Sequence, residues 1–227
     1  MEFLKRFWRE AGAETCEPRG ATSFDKLSSA QLHAHLNVDC YGEFLLTEAI
    51  RPSFDVQITP RAGYRHDKFH DGGQGKDIPV LAAAASREQL FEVFMDLVDP
   101  LGERVDVVLE SSHDPEVDGH VDMYREDIDA VVLKSMLYDY EELIMKDGYT
   151  GLAVLRPDVP MEVQFDEHKL LFVYAKNIRP FERVLQDHGL ERDDRLKLIS
   201  EGEHLHLTEE RFLDEFTELK MRLGVED

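Results

Sequence analysis

The amino-acid sequence predicts an α+β protein: two tandem copies of one α-βββ-α-β(β)-α module, with antiparallel sheets covered by helices. Three observations predict this. Apolar residues recur at a spacing of three to four in some segments and in short strand-like runs in others, so helices and strands are interspersed. The strands expected near 151–155, 161–166 and 169–175 are joined by short loops, which suit an antiparallel meander. A set of landmarks also recurs in the same order in both halves.

The chain has 227 residues, 42% of them hydrophobic and 33% charged, ample for a buried core in one large domain or two small fused ones. Against 26 basic side chains stand 48 acidic ones, a formal net charge of −22. Such a surface repels phosphate backbones and anionic membranes, which argues against a nucleic-acid partner. The acids are spread along the chain and read as solvated faces; a salt-rich cytoplasm or cationic partners would each account for them. Two cysteines, Cys16 and Cys40, are too few for a disulfide framework and point to a reducing compartment. No apolar run approaches the roughly 20 residues that a membrane span needs. Lys5, Arg6 and Arg9 put charge where a signal peptide would be apolar, so a cytoplasmic protein is expected.

Phe3, Leu4, Phe7 and Trp8 give the N-terminus a short amphipathic helix, followed by a linker at 11–23. A helix is expected at 28–37 and strands at 43–50 and 54–59. Gly63, Gly72, Gly73 and Gly75 mark 60–77 as a long loop. Val80 to Ala84 form a buried strand, and Ser86 with Gln89 gives the next helix a capping box. Leu90, Phe91, Phe94, Leu97 and Val98 are the apolar stripe of that helix, and Pro100 ends it. A strand follows at 105–109, then a long helix at 127–147 with a stop at Gly148. After the three-strand meander, Pro180 opens a helix that Gly189 closes. Strands at 196–200 and 204–207 precede a last helix, capped by Thr208, with a stripe of Phe212, Phe216, Leu219 and Leu223.

The expected organisation is therefore an N-terminal helix and linker at 1–23, a first repeat at 24–126 and a second at 127–227. Ala49-Ile50-Arg51-Pro52 matches Val154-Leu155-Arg156-Pro157, Phe91-Glu92 matches Phe181-Glu182, and Glu103-Arg104 matches Glu191-Arg192. Gly119-His120-Val121-Asp122-Met123 likewise matches Glu203-His204-Leu205-His206-Leu207. The Gly-rich stretch is then an insertion in the first copy, and insertions on a rigid frame are where function tends to sit.

This order of elements, with small size and acidity, resembles the type III secretion chaperone-like fold, best over 127–224 and more loosely over 28–126. The resemblance implies a covalent pseudo-dimer that binds an extended segment of a partner without catalysis. No residue motif matches, so no binding residue follows from it.

Gly72-Gly73-Gln74-Gly75-Lys76-Asp77 fails as a phosphate loop, because His70 stands where the first glycine belongs and Asp77 where Ser or Thr would bind magnesium. There is no Gly-x-Ser-x-Gly elbow and no cysteine in a nucleophile context, so no catalytic residue is assigned. The histidines offer an alternative. His66 and His70, His113 and His120 among acids, and the alternating His204 and His206 are candidate ligands for a divalent metal. His33 and His35 lie in the expected helix 28–37 and read as structural.

Two functions follow as expectations. The first is a non-enzymatic, chaperone-like protein that holds an extended, basic protein or peptide segment at a sheet edge or groove. The alternative is a metal-dependent hydrolase using the loop histidines and acids around a bound water.

Overall fold

The computed structural model describes residues 22–71, 76–113 and 121–225. The expected N-terminal helix, most of the linker, the centre of the glycine-rich stretch and His120 lie outside the described residues. The class is α+β, and the strands of the main sheet are antiparallel throughout.

In chain order the elements are α1 (Ser29–Leu36), the short strands β1 (Cys40–Tyr41), β2 (Phe44–Leu45) and β3 (Ile50–Pro52), and then β4 (Gly63–Asp71) and β5 (Lys76–Ala84). Next come α2 (Arg87–Val98), β6 (Arg104–Ser111), β7 (Val121–Asp129), α3 (Ala130–Asp139) and α4 (Glu141–Lys146). The chain continues with β8 (Thr150–Leu155), β9 (Met161–Phe165), β10 (Leu171–Ala175), α5 (Arg179–Asp187), β11 (His204–His206) and α6 (Glu210–Leu223). Among the described residues, no helix is long and apolar enough to cross a membrane.

The expectation of two modules, each with its own sheet, gives way to one seven-stranded sheet in the order β4-β5-β10-β9-β8-β6-β7. The β8-β9-β10 meander from the second half forms the middle, and the hairpins β4-β5 and β6-β7 from the first half flank it. Strand alternation sets which face a residue occupies but not which strand it joins, so the pairing is invisible to periodicity. The matched Arg-Pro landmarks do not occupy equivalent places: Arg51-Pro52 lies in β3, which pairs with β11 in a separate small sheet, whereas Arg156-Pro157 follows the central strand β8.

Several local expectations also change. Most of the expected loop 60–77 is strand, with β4 and β5 in register from Gly63↔Ala84 to Asp71↔Lys76. Tyr64 is buried and Arg65 half-buried on opposite sides of β4, an alternation that the neighbouring glycines obscure. Residues 127–129 belong to β7, and the expected long helix is two short ones that meet at Tyr140. Ser86 is the N-cap of α2, but its hydroxyl accepts from the Leu45 N–H (3.1 Å) instead of closing a capping box. A capping box does form at Ser28 and Gln31, ahead of α1. The expected strand at 196–200 is replaced by irregular chain and a 3₁₀ segment, Ile199–Glu201.

Alternation gives the sheet two unlike faces. On one, Val107, Leu109, Leu152, Val154, Val163, Phe165, Leu171 and Val173 meet the apolar stripes of α2, α5 and α6 in the main core. A single row of that face runs Tyr64, Ala83, Leu171, Phe165, Leu152, Leu109, Met123 across all seven strands. The other face carries Ala82 and Ala84, covered by Phe44, Leu46, Ile50, Leu198 and Ile199, and farther along it the buried polar groups Glu110, Glu162 and Gln164. The 40–58 and 196–206 segments, with the small β3-β11 sheet, therefore lie on the side opposite α2, α5 and α6.

Candidate functional site

The β9-β10 turn and β11 bring three imidazoles together at one end of this second face. His168 lies in the turn, and His204 and His206 alternate along β11, so both project from one side of that strand. The ring centroids of His168 stand 4.7 Å from those of both His204 and His206, which are 5.0 Å from each other. One ligand atom from each ring lies within 4.8 Å of the other two.

The turn is built to hold His168. The Asp166 N–H donates to the Leu170 carbonyl (3.1 Å), and Asp166 Oδ1 accepts from the Leu170 N–H (2.8 Å). Asp166 Oδ2 then pairs with His168 Nδ1 at 2.9 Å. Lys169 closes the turn with φ of 60°, a left-handed conformation that costs a non-glycine residue on the order of 1 kcal/mol. Its buried ammonium donates to the Thr150 carbonyl at 2.8 Å, tying the turn to β8. Burial lowers the Lys169 pKa to about 8 against the opposing pull of Asp147, Asp166 and Glu167.

The two strand histidines are fixed through the same ring atom. His204 Nδ1 donates to the Gly202 carbonyl (2.8 Å) and His206 Nδ1 to the Gly148 carbonyl (2.6 Å). Gly148 has to be glycine: a Cβ there would stand 2.4 Å from the Ala49 carbonyl oxygen and 2.8 Å from that of Leu207. That close approach lets the 147–150 turn lie against β11 and present its carbonyl to His206.

With Nδ1 of His204 and His206 each on a carbonyl, Nε2 is the atom these two imidazoles would present to an ion. This is the outer-sphere arrangement that fixes tautomer and ring orientation in histidine metal sites. Burial lowers the His204 pKa, and the neighbouring His168 lowers it further. The same desolvation takes His206 down to about 4, with Glu167 opposing and the other two imidazoles adding to the fall. Both strand histidines are thus neutral at pH 7, the form that binds metal.

Of the six histidines singled out from sequence, the structure brings together His204 and His206. His66 Nε2 pairs with Glu182 on α5 at 2.8 Å, and His70 Nδ1 pairs with Asp77 at 2.8 Å across the β4-β5 hairpin. His113 Nε2 meets the buried Asp147 carboxylate at 2.7 Å and packs against Phe216 of α6. Burial pulls the Asp147 pKa up, but bonds from His113, Thr150 and Thr208 outweigh it and hold the carboxyl low. His66 and His70 share the parity of Tyr64, a residue of the helix-side core, and His113 touches a helix of that core. The sheet stands between His66 and His70 and the trio, and His113 is taken up by Asp147, which is why these three do not join it. His35 is structural, its Nε2 on the Pro52 carbonyl at 2.9 Å between Phe24 and Phe54.

His168 is the candidate ligand that sequence reasoning missed. It lies 36 residues before His204, and no motif links the two. The local signal was Asp166 two residues earlier, able to close the turn and grip the ring.

Comparison with protein-family models, curated proteins and solved structures found no match.

Proposed function

We propose that this protein is a divalent-metal-dependent hydrolase, with His168, His204 and His206 as the protein ligands and a water in the remaining position. One observation carries the reading: three imidazoles from two separate elements converge, each with its Nδ1 anchored to an oxygen. Three histidines with a fourth position left to solvent is a catalytic pattern for zinc, whereas structural zinc sites close with four protein ligands. The donor set also suits other borderline ions such as cobalt or nickel, and it disfavours calcium and magnesium, which prefer oxygen. All three histidines are only partly buried, so water can reach the ion.

Chemically, the ion would lower the pKa of its bound water to about 7 and polarise a carbonyl or similar acceptor. The protein's own residues fix the three rings, keep the two strand imidazoles unprotonated, and hold the turn against β8 through Lys169.

The peptide-holding alternative, implied by the resemblance to secretion chaperones, would use a sheet edge or a groove. The outer edge of β7 carries Arg125, Glu126 and Asp127, with an irregular register opposite Val105 and Val107. Charge and bulging of this kind discourage strand addition at this edge.

The test is elemental analysis of protein stripped with chelator, re-equilibrated with zinc and desalted, alongside hydrolysis of a panel of activated esters and amides. One zinc per chain with zinc-dependent hydrolysis supports the proposal. Protein that retains no zinc, or hydrolyses equally well after chelation, contradicts it.

A further inference from the structure

Asp147 lies outside the trio, yet the turn it holds reaches two of the three histidines. Its carboxylate is fully buried at the C-terminal end of α4. Oδ2 accepts from the Thr150 hydroxyl at 2.5 Å and pairs with His113 Nε2 at 2.7 Å, while Oδ1 accepts from the Tyr149 N–H at 3.3 Å. One side chain thus closes the 147–150 turn upon itself, as aspartates do in tight turns, and joins it to the chain just past β6. A buried carboxylate is costly unless its oxygens are bonded. Two of its partners here, Thr150 and Tyr149, belong to the turn itself, so the burial stiffens that turn.

Two carbonyls of the turn extend to the two elements that carry the histidines. The Gly148 carbonyl accepts from His206 Nδ1 on β11 at 2.6 Å. The Thr150 carbonyl accepts from the Lys169 ammonium, next to His168 in the β9-β10 turn, at 2.8 Å. Thr150 is therefore held at both ends, its hydroxyl by Asp147 and its carbonyl by Lys169. His204 is anchored elsewhere, on the Gly202 carbonyl at 2.8 Å.

We infer that Asp147 is a positioning residue of the centre, fixing the turn against which His206 and the His168 turn are both set. The inference rests on the metal reading of the trio and adds a residue that acts through backbone carbonyls rather than on the ion. Metal–ligand distances are tolerated to within about 0.2 Å. A slack 147–150 turn lets His206 and His168 drift by more than that while the fold survives, and it leaves His204 in place.

The test compares two variants of the full-length protein. Asp147→Asn keeps the size but offers one acceptor oxygen where the turn uses two. His113→Ala removes the carboxylate's other partner and leaves the Thr150 and Tyr149 bonds intact. Isotope-labelled, metal-free protein is followed through its imidazole N–H resonances at low temperature, and zinc affinity is read by competition with a chromophoric chelator. In Asp147→Asn the His206 Nδ1–H signal should be lost to exchange while that of His204 persists, and zinc should bind about tenfold more weakly. In His113→Ala the unfolding midpoint should drop with both signals and the zinc affinity level. Both ring signals lost together, both retained, or zinc affinity falling equally in the two variants overturns the inference. Should Asp147→Asn not fold, Thr150→Val decides in its place: it removes the hydroxyl, keeps the carbonyl, and should give the same split between His206 and His204. Wild-type protein that binds no zinc sinks the metal reading, a separate outcome, since the ring signals of metal-free protein still decide whether Asp147 sets His206.

Discussion

The two faces of the seven-stranded sheet are made by alternate residues of the same strands, and they differ in what they bury. Toward the helices lies a continuous apolar core in which Phe94, Phe165, Phe181 and Phe212 are fully enclosed. On the opposite side Glu110 and Glu162 are buried, one oxygen of each lacking a partner among the described residues, and at one end the imidazoles of His168, His204 and His206 converge. Burial drives the Glu110 carboxyl well above its usual range and Glu162 to about 8. The contrast teaches that stability is concentrated on the helix side, and that the other side carries polar groups which weaken the fold unless they serve a purpose.

The sharpest break between the faces is expected from the histidines. Replacing His168, His204 or His206 by alanine should lower zinc affinity by on the order of a thousandfold, measured by competition with a chromophoric chelator. That exceeds the 10–100-fold typical of outer-sphere residues. The same substitution at His66, His70 or His113 should change zinc affinity less than about twofold. A loss at His66 equal to that at His206 would erase the distinction between the faces.

Next in size is a pure core change. Phe94→Ala empties a fully buried site that packs edge-on against Phe165 (ring centroids 5.4 Å apart) and should cost about 3–5 kcal/mol in denaturant unfolding. Zinc affinity of the folded fraction should be unaltered. The converse variant is Asp166→Ala, which frees the His168 ring. It should weaken zinc 10–100-fold.

The smallest expected effect is a pH dependence. Glu162 has a folded pKa of about 8 against an ordinary 4.5, so between these values the folded state holds a proton that the unfolded state has lost. Stability is therefore full below about pH 4.5 and falls as the pH rises toward 8, by at most a few kcal/mol. Glu162→Gln cannot ionise and should flatten that slope in unfolding measured at pH 5 and pH 8. An unchanged slope would place the buried charge elsewhere. In metal-free protein His206 acts in the opposite sense: with its folded pKa of about 4 below the usual 6.5, it removes stability as the pH falls through that window.

How much of this was legible in the sequence follows from what each signal encodes. The helices α2, α5 and α6 were readable because their apolar stripes face one layer and because Pro180 opens α5 and Gly189, at φ of 75°, closes it. The meander β8-β9-β10 was readable from its short connections. The joining of both halves into one sheet was not, because Leu171 pairs with Ala83 across 88 residues and nothing local records that partnership. β4 was hidden by glycines at its margins, and its polar residues resemble a loop until Tyr64 is seen in the core. At the site, the alternation of His204 and His206 announced two candidate ligands on one face. The third arrives through tertiary structure alone, since it is topology that carries the β9-β10 turn to β11.

The central claim is that three imidazoles hold one ion, and X-ray absorption spectroscopy of the zinc-loaded protein tests it most directly. The account predicts a first shell of nitrogen and oxygen at about 2.0–2.1 Å with outer-shell scattering from three imidazoles, falling to two in His168→Ala. A shell containing sulfur at about 2.3 Å, or imidazole scattering unaltered by that substitution, would contradict it.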